Sequence, residues 1–375
     1  MFVNVDWFFL SHRLDIAKES AKRGVALTVF ADFTSDHSEH AYGDFSFLKS
    51  PLTRSSTSLV ASCLEFLKTF WVIKNQRPDV VHAVTIKPII LLGIICVILR
   101  VPFIASVSGL GPAFSSTGFL NTLRRRVVML VYRVIFSPQT TRVICQSSND
   151  ASTLVDNNIL PEHKIVMTEG SGVAIEEYRC NRPRESHTLS VLMASRLLSD
   201  KGVLEFCAAA AAIKKKSEFD VTFYLAGPID LHSPGALSEG QVVETCEANN
   251  VQFLGNRTDL KDVLAQTHIF VLPSYYAEGI PKVLLEAAAS GCAVITTDHP
   301  GCRDAIVPEE TGLLVNPKDI SSLTDGLTRL LSDQGLIKSM GIAGRKLAVE
   351  RFSVTNVIDI HYAVYHTSHK VKVAG

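Results

Sequence analysis

A chain of 375 residues is long enough for two domains of about 150–200 residues each. With 37 Lys/Arg against 37 Asp/Glu the formal net charge is zero, and no nucleic-acid partner is expected. Mean hydropathy is +0.21, yet the longest apolar run, residues 89–99, has 11 residues where a membrane span needs about 20, so no span is expected.

In chain order, short apolar runs at 1–5, 25–30, 80–83, 103–107, 142–145 and 164–167 read as strands, with amphipathic stretches such as 10–23 as helices between them. The pattern repeats at 189–194, 221–226, 251–254, 269–272, 293–297 and 312–315, with helices at 204–216 and 282–290. Strands separated by helices give an α/β fold of doubly wound parallel sheets, and uninterrupted apolar runs suit strands covered on both faces. Residues 1–168 form a first Rossmann-like domain and 188–352 a second. The stretch 169–187, with Gly170, Gly172 and Pro183, reads as the linker. The tail 353–375 carries a last helical pattern at 354–365, expected to pack across the domain boundary. In such folds a ligand lies at the C-terminal ends of the strands, here in a cleft between the two domains.

Charge and cysteines narrow the setting. Residues 1–168 carry 17 Lys/Arg and 12 Asp/Glu, the remainder 20 and 25, so the first half should meet the more anionic partner or surface. The eight cysteines have no paired zinc-type spacing and read as free thiols in a reducing compartment. The first strand begins at residue 1 without a basic leader, so no signal peptide is expected.

Two groups in the second half carry chemistry. Arg196 and Lys201 flank the loop after the 189–194 strand, a fork and a point charge that suit a diphosphate or are unrelated exposed cations. Glu278 and Glu286 stand eight positions apart across a helix start marked by Gly279 and Pro281. Free N–H groups there attract phosphate, while the carboxylates can hold hydroxyls. Alternatively, Lys282 and Glu286 form a surface ion pair and Glu278 favours the positive helix end. The Ala287–Ala289 run beside Glu286 implies close packing of that face.

EGIPKVLLEAAASG followed by AVITTDHPGCRDAI resembles the donor-site signature of family 4 glycosyltransferases, which have the GT-B fold: Glu, seven residues, Glu, with Gly and Pro between. ASRLLSDKG, LAGP, FLGNRTD and the Gly-Ser-Gly segment match in the same order and spacing. The resemblance implies that Arg196 and Lys201 bind the nucleotide diphosphate, Glu286 the ribose, and Glu278 the transferred sugar. The backbone of Gly279, Ile280, Pro281, Lys282 and Val283 reaches the sugar and distal phosphate, and Asn256 and Arg257 lie near the base or form an ordinary charged turn.

In the first half, DWFFLSHR at the first strand-to-helix junction, TIKP at 85–88 and VSGLG at 107–111 are similar to bacterial transferases that extend sugars on polyprenyl diphosphate. Ser11, His12, Thr85, Lys87 and Ser108 are the acceptor-side candidates, or plain loop and cap residues. Ser108 occupies a place where many relatives carry a His that contacts the donor sugar. His82 ends an apolar strand and reads equally as a core histidine or a catalytic one. Residues 123–138, with Arg124, Arg125, Arg126 and Arg133 beside a continuous apolar run, are either a buried helix or a peripheral membrane-docking one.

The resemblance implies a retaining glycosyltransferase with no cofactor. With no Asp-x-Asp motif, no metal is expected. The donor is a UDP-linked N-acetylhexosamine, best UDP-GalNAc, with UDP-GlcNAc and UDP-galactose open. The acceptor is an undecaprenyl-diphosphate-linked saccharide in O-antigen or other surface polysaccharide synthesis, placing the enzyme in the cytoplasm at the inner face of the inner membrane. A nucleotide-sugar epimerase and a non-catalytic nucleotide- or glycan-binding protein are the competing readings. A dinucleotide dehydrogenase is disfavoured by the bulky aromatic loop where G-x-G-x-x-G would stand.

Overall fold

The computed structural model describes residues 1–34, 40–41, 44–53, 59–110, 119–180, 188–216, 218–231 and 233–374. Gly111 and residues 181–187 of the expected linker, Pro183 among them, lie outside these. Contacts divide the chain into two units, one of Met1–Gly172, Ala277–Gly279 and Val354–Gly375, the other of Val173–Tyr276 and Ile280–Ser353.

The first unit runs β1 (Phe2–Val5), α1 (Asp6–His12), α2 (Leu14–Lys22), β2 (Leu27–Asp32), β3 (His40–Ala41), β4 (Phe45–Lys49), α3 (Leu59–Gln76), β5 (Val81–Val84), α4 (Ile86–Leu99), β6 (Phe103–Val107), α5 (Phe119–Phe136), β7 (Arg142–Cys145), α6 (Ser148–Asp156) and β8 (Ile165–Met167). Its sheet has the order β3-β4-β2-β1-β5-β6-β7-β8, parallel except for the β3–β4 pair. Alternate residues of each strand enter different cores. Phe2, Phe30, Phe103, Ala105 and Val143 pack with α3, α4 and α5, whereas Val3, Val29, Ile104 and Ile144 pack with α1 and the last helix.

The second unit runs β9 (Leu189–Ala194), α7 (Val203–Lys216), β10 (Val221–Ala226), α8 (Glu239–Ala248), β11 (Val251–Phe253), α9 (Leu260–Ala265), β12 (Ile269–Leu272), α10 (Lys282–Ala289), β13 (Ala293–Thr297), β14 (Gly312–Val315), α11 (Ile320–Leu331) and α12 (Gln334–Arg351). Its sheet is all parallel, β11-β10-β9-β12-β13-β14. The order reverses between β9 and β12, and a doubly wound sheet binds ligands at the C-terminal ends of such a pair. The last helix, α13 (Val354–Ala374), counts with the first unit and packs on α2.

All twelve strands read from the sequence are present, within two residues at each end. Three features differ. Strands β3 and β4, at one end of the sheet, were not anticipated: among the described residues no helix lies between β2 and β4, and the βαβ rhythm is broken there. The last helix reaches Ala374 rather than 365. The DWFFLSHR junction is helical, not a loop: buried Asp6 accepts from the Trp7 N–H and from the Thr34 N–H and hydroxyl, and Phe9 is sealed against Phe45 and Phe47. Among the described residues no helix is long and apolar enough to cross a membrane.

Candidate active site

Strand β9 is buried almost throughout and ends at Ala194, so the residues after it emerge at the switch point of the second sheet. Two glycines shape this emergence. Gly227, at φ +145°, lets the chain after β10 lie where a Cβ would be 1.7 Å from the Ser195 carbonyl oxygen. Gly202, at φ +82°, ends the short turn Ser199–Lys201 beneath the Pro273 carbonyl, 2.4 Å from where its Cβ would stand. Neither position accepts a side chain without moving backbone.

The segment after β12 folds back over this turn. The Tyr275 N–H donates to the Asp200 carbonyl at 2.9 Å and the Tyr275 hydroxyl to the Ser199 carbonyl at 3.0 Å. Tyr276 is thereby set beneath both cations: its ring centroid lies 5.5 Å from the Arg196 guanidinium carbon and 4.9 Å from Lys201 Nζ. Arg196 also donates to Asp230 at 3.3 Å and to Ser233 at 3.1 Å. Lys201 is 5% exposed. Two cations over one ring repel each other, and a diphosphate between them would relieve the repulsion.

Helix α10 begins after Pro281, which caps it with no side-chain hydrogen bond. The Leu284 N–H turns back to the Pro281 carbonyl at 3.0 Å, and the start of the helix carries the positive end of its dipole. Leu284, Leu285 and Ala287–Ala289 are buried, which turns the opposite side, with Glu286, outward. Glu286 lies 3.6 Å from Lys282 Nζ, and both side chains are mostly covered, so the ion pair allowed by the sequence exists, although not as a freely solvated one. Val283 is partly buried; Ile280 and Pro281 are buried.

Glu278 and Gly279 count with the first unit. The Gly279 N–H donates to the Ser108 carbonyl at 3.0 Å, and Gly109, at φ +120°, lies against the Glu278 backbone. A Cβ on Gly279 would sit 3.2 Å from the Gln146 side chain. Gln146, after β7, is 5% exposed and its Nε2 has no hydrogen-bond partner. A buried amide donor left open is uncommon in a finished core.

The other first-unit candidates are spread over strand ends. Ser11 and His12 lie on α1 with Ser11 Oγ 2.5 Å from His12 Nδ1, and the His12 ring stacks on Phe8 at 4.3 Å. Thr85, after β5, has φ +73° and a buried hydroxyl without a partner. For a β-branched residue that backbone is strained, as at many binding sites. Lys87 is engaged: its Nζ meets Glu65 at 2.9 Å and the Thr53 carbonyl at 2.6 Å. His82 is 2% exposed, with ring nitrogens 2.8 Å from the Tyr365 hydroxyl and 2.7 Å from Ser106 Oγ, the geometry of a core histidine.

Asn256 and Arg257 are exposed, and Arg257 is paired with Asp259 across the turn. The sequence reading did not single out Tyr276, Asp230, Ser233 or Gln146. Tyr276 was visible in the SYYAEG string, whereas Asp230 lies 34 positions from the arginine it holds and left no local signal. Among the described residues no cluster of His, Cys, Asp and Glu could hold a metal ion.

Residues 11–168 match the family described as Glycosyltransferase Family 4, and residues 175–347 match Glycosyl transferases group 1. The chain is 31% identical over 250 residues to an N,N'-diacetylbacillosaminyl-diphospho-undecaprenol alpha-1,3-N-acetylgalactosaminyltransferase of Campylobacter jejuni, a match spanning 63% of each chain. It is 26% identical to a UDP-Gal:alpha-D-GlcNAc-diphosphoundecaprenol alpha-1,3-galactosyltransferase of Escherichia coli, over 82% of this chain and 80% of that one. A sucrose-phosphate synthase structure from Thermosynechococcus elongatus superposes with TM-score 0.78 at 20% identity, covering 96% of this chain and 92% of that one. Two family matches in tandem on two Rossmann-like units make this chain a family 4 glycosyltransferase with the GT-B fold.

Proposed function

We propose that the protein moves an N-acetylhexosamine, best GalNAc, from a UDP-sugar to a saccharide carried on undecaprenyl diphosphate, in bacterial surface polysaccharide synthesis. The observation that carries the donor half is the placement of Arg196 and Lys201 over Tyr276 at the switch point of the second sheet. Support for the acceptor comes from the two curated relatives, both named for undecaprenol-linked diphosphate substrates. Only the Campylobacter relative is named for N-acetylgalactosamine, and the Escherichia one keeps galactose as the alternative.

In this reading residues 188–352 hold the donor and residues 1–168 the acceptor, joined by 169–187. Arg196 and Lys201 take the diphosphate, Glu286 the ribose, and Glu278 with the Gly279–Val283 backbone the sugar. Asn256 and Arg257 approach the base. Ser11, His12, Thr85, Lys87 and Ser108 serve the acceptor. Transfer proceeds with retention. The acceptor hydroxyl attacks the anomeric carbon from the face the diphosphate leaves, the carbon–oxygen bond to phosphate breaks, and the acceptor proton passes to the departing phosphate oxygen. Fixed cations stabilise charge as it develops on that oxygen, an effect worth about 10²–10³ in rate per donor group. A lipid-linked acceptor would hold the enzyme at the cytoplasmic face of the inner membrane.

The test offers labelled UDP-GalNAc, UDP-GlcNAc and UDP-galactose to the protein, each with and without an undecaprenyl-diphosphate-linked monosaccharide. Label should enter the lipid fraction only with acceptor present, fastest from UDP-GalNAc. Acceptor-independent conversion of one nucleotide sugar into another would replace this reading with an epimerase.

A further inference from the structure

The helices on one side of the first sheet leave an apolar surface open. On α3, Val60 (71% exposed), Leu64 (53%), Leu67 (53%) and Trp71 (54%) recur at intervals of four, three and four. At about 100° per residue these fall within an arc of about 60°. On α5, Val127 (53%), Leu130 (58%) and Val134 (56%) form a similar stripe. Helix α4 contacts both α3 and α5 and adds Ile98 near its end. All three helices rest on the same core, through Phe66 and Phe70 of α3, Ile90 and Ile94 of α4, and Val128 and Met129 of α5. Their open stripes therefore belong to one layer and face away from the sheet.

The charges on this layer have one sign. The exposed charged residues described on or capping the three helices are Lys68, Lys74, Arg77, Arg100, Arg126 and Arg133. The single acid, Glu65, is 6% exposed and turned inward to Thr53 and Lys87. Lys74 lies 4.7 Å from the Trp71 ring, and Arg133 keeps its exposed position while donating to the Asn157 and Asn158 carbonyls. The other helix layer of the same unit is mixed: Glu19 and Asp359 there pair with Arg23. Scattered single hydrophobics need no explanation, but two aligned stripes rimmed only by cations do.

We propose that the outward faces of α3 and α5 are the surface on which the protein lies on a bilayer rich in anionic lipid, with Trp71 and the leucines in the acyl boundary and the lysines and arginines at the headgroups. Apolar side chains on one arc with basic side chains at its rim are what an interfacial helix requires. A second copy of the chain would bring like charge against like charge across the same face. The inference rests on the proposed lipid-linked acceptor for the reason a bilayer is needed. The surface itself is read from the two helices alone.

The experiment floats the full chain with vesicles of phosphatidylglycerol and phosphatidylethanolamine, and with phosphatidylcholine vesicles, in the absence of donor and acceptor. The wild type should float with the anionic vesicles and far less with the neutral ones. The triple variant Leu67→Glu/Trp71→Glu/Leu130→Glu should lose at least tenfold in bound fraction, and each of Lys68→Ala and Lys74→Ala about fivefold. The substituted side chains are exposed, so thermal melts should be unchanged, and transfer to a water-soluble short-chain acceptor should persist. That last assay reads the enzymatic proposal separately from the surface. A wild type that stays unbound, or a triple variant that floats equally well, overturns the inference. So does light scattering that finds a dimer which the triple variant converts to monomer.

Discussion

The Arg196 guanidinium donates to the Asp230 carboxylate at 3.3 Å while lying over the Tyr276 ring. A cation proposed to grip a diphosphate is thus already partly neutralised by a carboxylate of its own unit. An incoming phosphate must compete with that carboxylate for the same N–H group. Asp230→Asn should therefore tighten UDP by about fivefold, since one charge-assisted hydrogen bond contributes about 1 kcal/mol net. Arg196→Ala should weaken UDP at least tenfold. Calorimetry on the two variants decides: weaker UDP binding by Asp230→Asn would mean that the carboxylate orients the arginine rather than competing for it.

Glu286 can be separated from its ion pair with Lys282. If its carboxylate holds the ribose, the wild type should prefer UDP over 2',3'-dideoxy-UDP by about 10–100-fold, the range for hydrogen bonds to a charged group. Glu286→Ala should abolish that preference. Lys282→Ala should shift the melting temperature little, because an i,i+4 pair contributes about 0.5 kcal/mol or less. A preference that survives in Glu286→Ala assigns the ribose to another residue.

Lys87 is held by Glu65, whose carboxyl is favoured in its charged form. Burial works to raise its pKa, but hydrogen bonds from Thr53 and Lys87 outweigh it and leave the value below the usual range. Lys87→Ala should raise the acceptor KM about tenfold or more and leave the donor KM unchanged. It should also destabilise the fold by about 1–3 kcal/mol, since Glu65 loses its partner. Steady-state kinetics with each substrate varied in turn checks the split, and an effect on the donor KM alone would contradict the acceptor role.

The first unit should be sensitive to acid. Burial, reinforced by the Arg13 charge, pushes His361 down from 6.5 to about 3. Burial, with His361 and Arg13 nearby, also holds His82 well below its usual value. Between about pH 6.5 and pH 3 the unfolded chain binds the His361 proton and the folded chain does not, so stability falls as pH falls through that window, and His82 shifts in the same direction. His361 contributes a slope of up to about 1.4 kcal/mol per pH unit there. Urea melts at pH 7, 6 and 5 should show the loss, and His361→Gln should flatten it. An unchanged slope in that variant would remove His361 from the account.

Much of the fold was legible because buried parallel strands are continuous apolar runs, and helices space them evenly. Phe45–Lys49 escaped because no helix among the described residues separates it from β2, and its Phe-Ser-Phe alternation is short. The proposed donor-side residues could be singled out for a different reason: Arg196, Lys201, Gly279 and Glu286 sit at strand ends and a helix start, where local sequence carries the geometry. Asp230 and Gln146 were not, since their significance comes from residues 34 and 133 positions away. The α3 stripe was hidden for yet another reason. Its apolar residues run close together in the sequence, and the structure assigns Phe66 and Phe70 inward and Leu67 and Trp71 outward.

The central claim is sugar transfer to a lipid-linked diphosphate with the anomeric configuration kept. Its most direct measurement is NMR of the product formed from anomerically labelled UDP-GalNAc and an undecaprenyl-diphosphate monosaccharide, run with the wild type and Lys201→Ala. The account predicts an α-linked product from the α-linked donor, with the rate falling about 10²–10³-fold in the variant. A β-linked product, or a variant that transfers at the wild-type rate, would contradict it.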